Sequence, residues 1–335
     1  MDKALVKEKA IEIIKIVAFV LAFFVVLQCI SLAGFSEKSA TKFNNRKKDA
    51  YSFMNDEEQT IQIVGIGNSD VYSGFSPLDL WKEYGHTSTV SASIHQTIQE
   101  SIDLMKLIYE NQSPDLVIIE TDMFYDGEDE VGNELRKTNG LSDFFERRNP
   151  DNFTHKVEGV YTIFKFHNYW MGGKDNSKKS PYNPHGYKYS NEICKLESID
   201  YMKPTADIDR MSNFNAEQTD ALIALCKSKG SEVMILTLPS INTWNMARHN
   251  GVEEYAKERN IPFLDLNLFL DEMGIDIRDS FRDEGNHLNY PGAKKVTRFV
   301  GEYIDNNYSI EDLRGNKKYQ SWDNDLKKFE RFLDK

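Results

Sequence analysis

The sequence predicts an α/β protein: a three-layer α/β/α domain on a five-stranded parallel sheet, preceded by one transmembrane helix. Three observations predict it. Five short strand-like runs, at residues 61–66, 88–91, 116–119, 233–238 and 261–264, alternate with segments of helical period, and such alternation builds right-handed crossovers onto a parallel sheet. The run Leu116-Val117-Ile118-Ile119 is wholly apolar, as suits a central strand covered on both faces. Residues 16–35 carry no charge, and about 20 such residues cross a hydrocarbon core as a helix.

Residues 1–35 read as a tail and membrane anchor. The rival is a cleaved signal peptide, with Ser31-Leu32-Ala33 at cleavage spacing. The apolar region exceeds the usual length of about 7–15 residues for that role, which favours an uncleaved, single-pass anchor. Lys3, Lys7, Lys9 and Lys15 precede it, and Lys38, Lys42, Arg46, Lys47 and Lys48 follow. A short tail stays inside while a long domain translocates whatever its flanking charge. The expectation is a cytoplasmic N-terminus and an extracellular domain.

Residues 36–58 are polar and read as a juxtamembrane linker with room for one helix, with the domain at 59–335. After the first strand, Ser76-Pro77 opens a helix through Leu80, Trp81 and Tyr84, because proline is accommodated in a first turn, and Gly85 ends it. Within 96–109, Ile98, Ile102, Met105 and Ile108 recur at a helical period. Residues 123–210 break the rhythm and read as an insertion with helices of its own. Its aromatics include Tyr161, Phe164, Phe166, Tyr169, Trp170, Tyr182, Tyr187 and Tyr189. They either pack the insertion onto the domain or line a sugar-binding cleft. The rhythm then resumes with helices over 213–229, 252–259 and 291–304, and Trp322, Phe329 and Phe332 are spaced to anchor a last helix.

The 335 residues carry a net charge of −12, which excludes the basic face that nucleic-acid binding requires. Cys29, Cys194 and Cys226 are the three cysteines, with neither zinc spacing nor a disulfide framework. No metal or cofactor is expected.

The first strand runs into Gly65-Ile66-Gly67-Asn68-Ser69-Asp70, a glycine turn that presents a serine. In parallel sheets the site lies beyond the carboxyl ends of the strands. Ser69 falls there after the first strand, Asp122 after the third, and Pro239-Ser240 after the fourth. A base and an orienting acid come from Asp283-Glu284-Gly285-Asn286-His287-Leu288-Asn289. An acid beside a histidine holds the imidazole in the tautomer that takes a proton from serine.

With these residues in view the chain resembles the SGNH, or GDSL-like, hydrolases, which are flavodoxin-like in fold. Gly67-Asn68-Ser69-Asp70 resembles their first block, Glu120-Thr121-Asp122 the third, and the Asp283–Asn289 segment the fifth. The resemblance implies that Ser69 is the nucleophile and His287 the base, with Asp283 or Glu284 as the acid. Glu284 has the usual acid-x-x-His spacing; Asp283 is preferred on the ground that Gly-Asn forms a bulge. It also implies an oxyanion site from the backbone near Ser69 and Ala92, with Asn68, Asp122 and Ser240 around it. Two departures stand out. Asp122 occupies the place of an asparagine, and an ionised carboxylate donates no hydrogen bond. The block-two glycine is replaced within Ser91-Ala92-Ser93.

The helix ahead of the domain, the Glu-Thr-Asp element, and Pro239-Ser240 followed by Trp244 and Arg248-His249-Asn250 resemble the membrane-anchored O-acyltransferase branch. That branch includes the D-alanyl transfer protein of teichoic acid modification and alginate-type O-acetyltransferases. The implied partners are a multi-spanning membrane-bound O-acyltransferase, the membrane itself, and a surface glycan or teichoic acid acceptor. An esterase that deacylates surface glycans and a non-catalytic scaffold for a membrane acyltransferase are the alternatives.

Overall fold

A computed structural model describes residues 3–34, 49–125, 161–165, 184–196 and 200–334. The chain divides into two compact units, Met1–Asn45 with Asn139–Asn176, and Arg46–Thr138 with Ser177–Lys335.

The first unit is dominated by helix α1, Lys3–Gly34. Its stretch Lys7–Gly34 is long and apolar enough to cross a membrane, a description that an anchor and a signal sequence both meet. Phe19, Leu21 and Val25 are among its exposed side chains. Within this unit Tyr161 packs on Phe24 with ring centroids 5.8 Å apart, and Ile163 donates its N–H to Ser31 Oγ at 3.4 Å.

The second unit is the α/β domain. Its strands are β1 (Ile63–Gly67), β2 (Ser88–Ala92), β3 (Leu116–Glu120), β4 (Glu232–Thr237) and β5 (Phe263–Asp265), paired in the order β2-β1-β3-β4-β5. Every pairing is parallel. β1, β2 and β3 are buried at all positions, and β3 accordingly reads as a continuous apolar run rather than an alternating one. Fully burying an aliphatic side chain such as Ile63 or Ile118 contributes roughly 1.5–3 kcal/mol, and both are fully buried.

Helices flank the sheet. After β1 come α2 (Ser69–Gly74) and α3 (Pro77–Tyr84); after β2 comes α4 (Ile98–Asn111). α5 (Asn213–Ser228) precedes β4, and α6 (Met246–Glu258) precedes β5. A two-stranded antiparallel hairpin, β6 (Phe281–Arg282) and β7 (His287–Leu288), leads into α7 (Tyr290–Asn307), and α8 (Gln320–Leu333) closes the chain. α4 packs on α5, while α7 and α8 pack on α3. The ends are chemically marked. Thr97 and Glu100 form a reciprocal capping box on α4. Gly85 takes the left-handed conformation (φ 73°) that stops α3.

Two features depart from the sequence expectation. The helical turn of the expected linker, Asp49–Asn55, is not a free spacer: it buries Ala50, Tyr51 and Phe53, and Ser91 Oγ donates to the Ala50 carbonyl at 2.7 Å. α2 and the β6–β7 hairpin were not anticipated as elements. The described aromatics at the end of the insertion follow the packing alternative: Tyr187 and Tyr189 pack on Tyr290 and Phe329 of the C-terminal helices. Phe166, Tyr169, Trp170 and Tyr182 lie outside the described residues.

Candidate functional site

β1 carries the chain to the carboxyl edge of the sheet, where Asn68 caps α2. Its Oδ1 accepts the Asp70 N–H at 3.2 Å. Ser69 is the first residue of α2 and half-buried. Gly65 and Gly67 do not form the tight turn expected of them, since neither has a positive φ. They supply room instead. A Cβ on Gly67 would lie 2.6 Å from the Glu120 Cβ, and one on Gly65 would lie 3.2 Å from Val71 Cγ2.

That room admits Glu120, which ends β3 fully buried. Glu120 Oε1 accepts the Asp122 N–H at 2.6 Å. Asp122 in turn accepts from Asn68 Nδ2 at 2.5 Å. Asp122 therefore serves as an acceptor that holds Asn68, not as a donor aimed at an oxyanion. Ala92 ends β2 in register with Gly67, so its backbone lies on the same edge as the serine turn.

The histidine comes from the β6–β7 hairpin, in which Arg282 pairs with His287. His287 Nδ1 is 3.0 Å from Asp283 Oδ2, so Asp283, and not Glu284, holds the imidazole. Asp283 Oδ2 also accepts from Arg282 Nη1 at 2.6 Å. Arg282 is buried, and its Nη2 donates to Ser73 Oγ on α2 at 2.9 Å. One guanidinium thus ties the acid loop to the helix that carries Ser69. His287 Nε2 faces the first turn of α2, with Asp70 Oδ1 at 3.8 Å. Ser69 and His287 form no hydrogen bond with each other, and catalytic bonds of this kind often tighten only when substrate binds.

Burial, helped by the Arg282 charge, pulls the His287 pKa down to about 4, while Asp283 opposes the shift. The imidazole is therefore neutral at neutral pH, the form that accepts a proton. The Tyr72 ring stacks on His287 at a centroid distance of 6.4 Å. Its hydroxyl is pushed up to about 12, chiefly by burial, and faces Ser69. Lys188, at the return of the insertion, donates its N–H to the Tyr72 carbonyl at 2.7 Å. Its Nζ sits 5.1 Å from the centre of the Tyr72 ring.

Ser240 lies past the end of β4. Its hydroxyl bonds Thr243 Oγ1 at 2.7 Å and donates to the Asn286 carbonyl at 3.1 Å. Arg282, Tyr72 and Asp70 were missed from sequence, although each lies within three residues of a named candidate. His249 binds Asp265 Oδ2 at 2.8 Å, as does Trp244 Nε1, so His249 is structural. A shallow cavity of about 430 Å³ lies beside it, lined by Lys257, Phe263 and Phe269 among others; Ser69, Asp283 and His287 do not line it. Among the described residues, no three His, Cys, Asp or Glu side chains gather as metal ligands.

No protein-family model and no curated protein matches the chain. Among solved structures it is similar to a lipase/acylhydrolase from Enterococcus faecalis, at 11% identity over 75% of this chain and 99% of that one, with a TM-score of 0.38. It is also similar to a GDSL-like lipase from Bacteroides thetaiotaomicron, at 14% identity over 79% of this chain and 98% of that one, with a TM-score of 0.38.

Proposed function

We propose that the α/β domain catalyses acyl transfer through Ser69, with His287 as general base and Asp283 as its orienting acid. One observation carries this reading. Asp283 holds His287 Nδ1 at 3.0 Å, which leaves a neutral Nε2 turned toward the helix turn that bears Ser69. An acid, a base and a hydroxyl in that order are the parts of a serine nucleophile.

The chemistry runs in two steps. Ser69 Oγ attacks the acyl carbonyl carbon as its proton passes to His287 Nε2, and Asp283 stabilises the imidazolium. The carbonyl oxygen becomes an oxyanion, for which backbone N–H groups at Ser69 and near Ala92 are the available donors. Collapse expels the leaving group, which takes the proton from His287, and an ester remains on Ser69. An acceptor hydroxyl then gives its proton to His287 and attacks that ester, and Ser69 regains its proton. Water in the acceptor's place would make the protein an esterase.

In the finer form of the proposal α1 anchors the protein in the cell membrane, with the N-terminus cytoplasmic and the domain outside. A multi-spanning membrane-bound O-acyltransferase passes an acetyl or D-alanyl group outward, and Ser69 delivers it to a surface polysaccharide or teichoic acid. Replacing Ser69 with Ala in the full chain is the test. Loss of surface-polymer acylation is expected; acylation at the wild-type level refutes catalysis through Ser69. A second reading, a non-catalytic scaffold, is favoured by Asp122 accepting from Asn68 where a donor was expected. Covalent labelling of the wild type by a serine-directed phosphonate, absent in the Ser69→Ala variant, would exclude it.

A further inference from the structure

The loop between the acid and the histidine has an unusual backbone. Asp283, Glu284 and Gly285 are three consecutive left-handed residues, with φ of 51°, 57° and 96°. For non-glycine residues such conformations cost on the order of 1–3 kcal/mol each and persist only where the surroundings over-determine them. The surroundings here are the three residues after Pro239. Ser240 Oγ donates to the Asn286 carbonyl at 3.1 Å. The Ile241 N–H donates to the Gly285 carbonyl at 3.0 Å. Asn242 Nδ2 donates to the Glu284 carbonyl at 2.6 Å. Three successive residues thus hold three successive carbonyls in antiparallel order. The remaining carbonyl, of Asp283, accepts the Asn286 N–H at 3.1 Å.

This segment is itself fixed to the sheet. The Ser240 N–H donates to Asn267 Oδ1 at 3.1 Å. Asn267 Nδ2 donates to the Leu238 carbonyl at 3.1 Å and to Asp265 Oδ1 at 2.8 Å. Leu238 lies just past β4 and Asp265 ends β5, so the anchor is the sheet edge. Ile241 also closes on the loop: a Cβ added to Gly285 would lie 3.2 Å from the Ile241 Cβ.

We infer that residues 240–242 are a positioning clamp for the reaction, with Ser240 and Asn242 as positioning residues that hold Asp283 and His287 in register with Ser69. This rests on the proposed function for its catalytic consequence, though not for its geometry. Catalytic groups must be held within about 0.5 Å of the productive arrangement, and a loop with three left-handed residues has other conformations to fall into once its carbonyls are released.

The test uses the full chain in detergent, with Asn242→Ala, Ser240→Ala, the double variant, and Ser240→Thr as the version that keeps a hydroxyl. Asn242 is exposed, so Asn242→Ala reads the clamp even where Ser240→Ala fails to fold. Two readouts are taken. One is the titration of the His287 ring by NMR with labelled histidine, assigned by His287→Ala. The other is kcat and KM for hydrolysis of 4-nitrophenyl acetate. The expected result for the double variant is a fall in kcat of about tenfold with KM within about twofold, and a His287 midpoint that rises toward the ordinary histidine value. Ser240→Thr should stay at the wild-type value in both. A wild type inert toward the ester, with the midpoint still moved in the variants, removes the proposed function and keeps the clamp. Folded variants whose midpoint and kcat match the wild type overturn the clamp.

Discussion

Gly67 and Glu120 are in contact across the β1–β3 pair, and the contact exists because Gly67 has no side chain. A Cβ there would sit 2.6 Å from the Glu120 Cβ and 2.9 Å from its Oε2. Both atoms belong to a fully buried residue whose other oxygen holds the Asp122 N–H. Gly67→Ala should therefore displace Glu120 and, through Asp122, the Asn68 cap of α2. Overpacking of this kind costs typically about 1–3 kcal/mol. Chemical denaturation should show a loss of that size, and Gly65→Ala, whose nearest neighbour is the Val71 methyl at 3.2 Å, a smaller one.

Asp283 and Glu284 are adjacent acids with different fates. Asp283 Oδ2 meets His287 Nδ1 and the Arg282 guanidinium; Glu284 is exposed and gives the site only its backbone carbonyl. Asp283→Asn should lower kcat on the order of 10³- to 10⁴-fold, the effect of losing a triad acid. Glu284→Gln should stay within about twofold. Steady-state kinetics on an acetyl ester compares them, and equal losses would assign the acid to neither.

How far this arrangement could be read from sequence follows from the length of each element. The strands were legible because parallel strands buried on both faces leave apolar runs such as Leu116-Val117-Ile118-Ile119. α3 was legible from Pro77 and Gly85. α2 has six residues and the hairpin strands two each, too short for any period to register. Ser69 and His287 stood out as candidates because a hydroxyl after a strand and an acid-flanked histidine are local patterns. The choice of Asp283 over Glu284 turns on left-handed backbone that spacing does not encode. The bond from Ser240 was not legible for a related reason: a polar residue past a strand end gives no sign of the carbonyl it serves, 46 positions away.

The pH dependence has a defined sign. His287 titrates near 6.5 in an unfolded chain and about 4 in the folded one, because burial disfavours its charge. Above pH 6.5 both states hold it neutral. As pH falls from 6.5 toward 4, the unfolded chain takes up a proton that the folded chain refuses, so stability decreases across that window. Activity should behave differently. The free-enzyme base stays deprotonated to about pH 4, so kcat/KM should show no histidine limb near 6.5 and should fall only near 4. A limb at 6.5 would mean that His287 is solvated in the working enzyme.

Arg282 and Asp283 push the same imidazole in opposite directions, and this yields the sharpest prediction for the site. The Arg282 charge lowers the His287 pKa and Asp283 raises it, both by charge and by hydrogen bond. Arg282→Met, of similar length and uncharged, should move the acid limb of kcat/KM to higher pH. Asp283→Asn should move it to lower pH. Arg282→Met also removes the donor to Ser73 Oγ on α2, so its kcat should fall even at a pH where His287 is neutral in both proteins. Arg282→Lys keeps the charge and loses the forked geometry that reaches Asp283 and Ser73 together. It should leave the limb near its wild-type position while kcat stays depressed. If instead Arg282→Lys restores kcat in full, charge alone is what the site needs, and the link from the acid loop to α2 has no part in aligning Ser69.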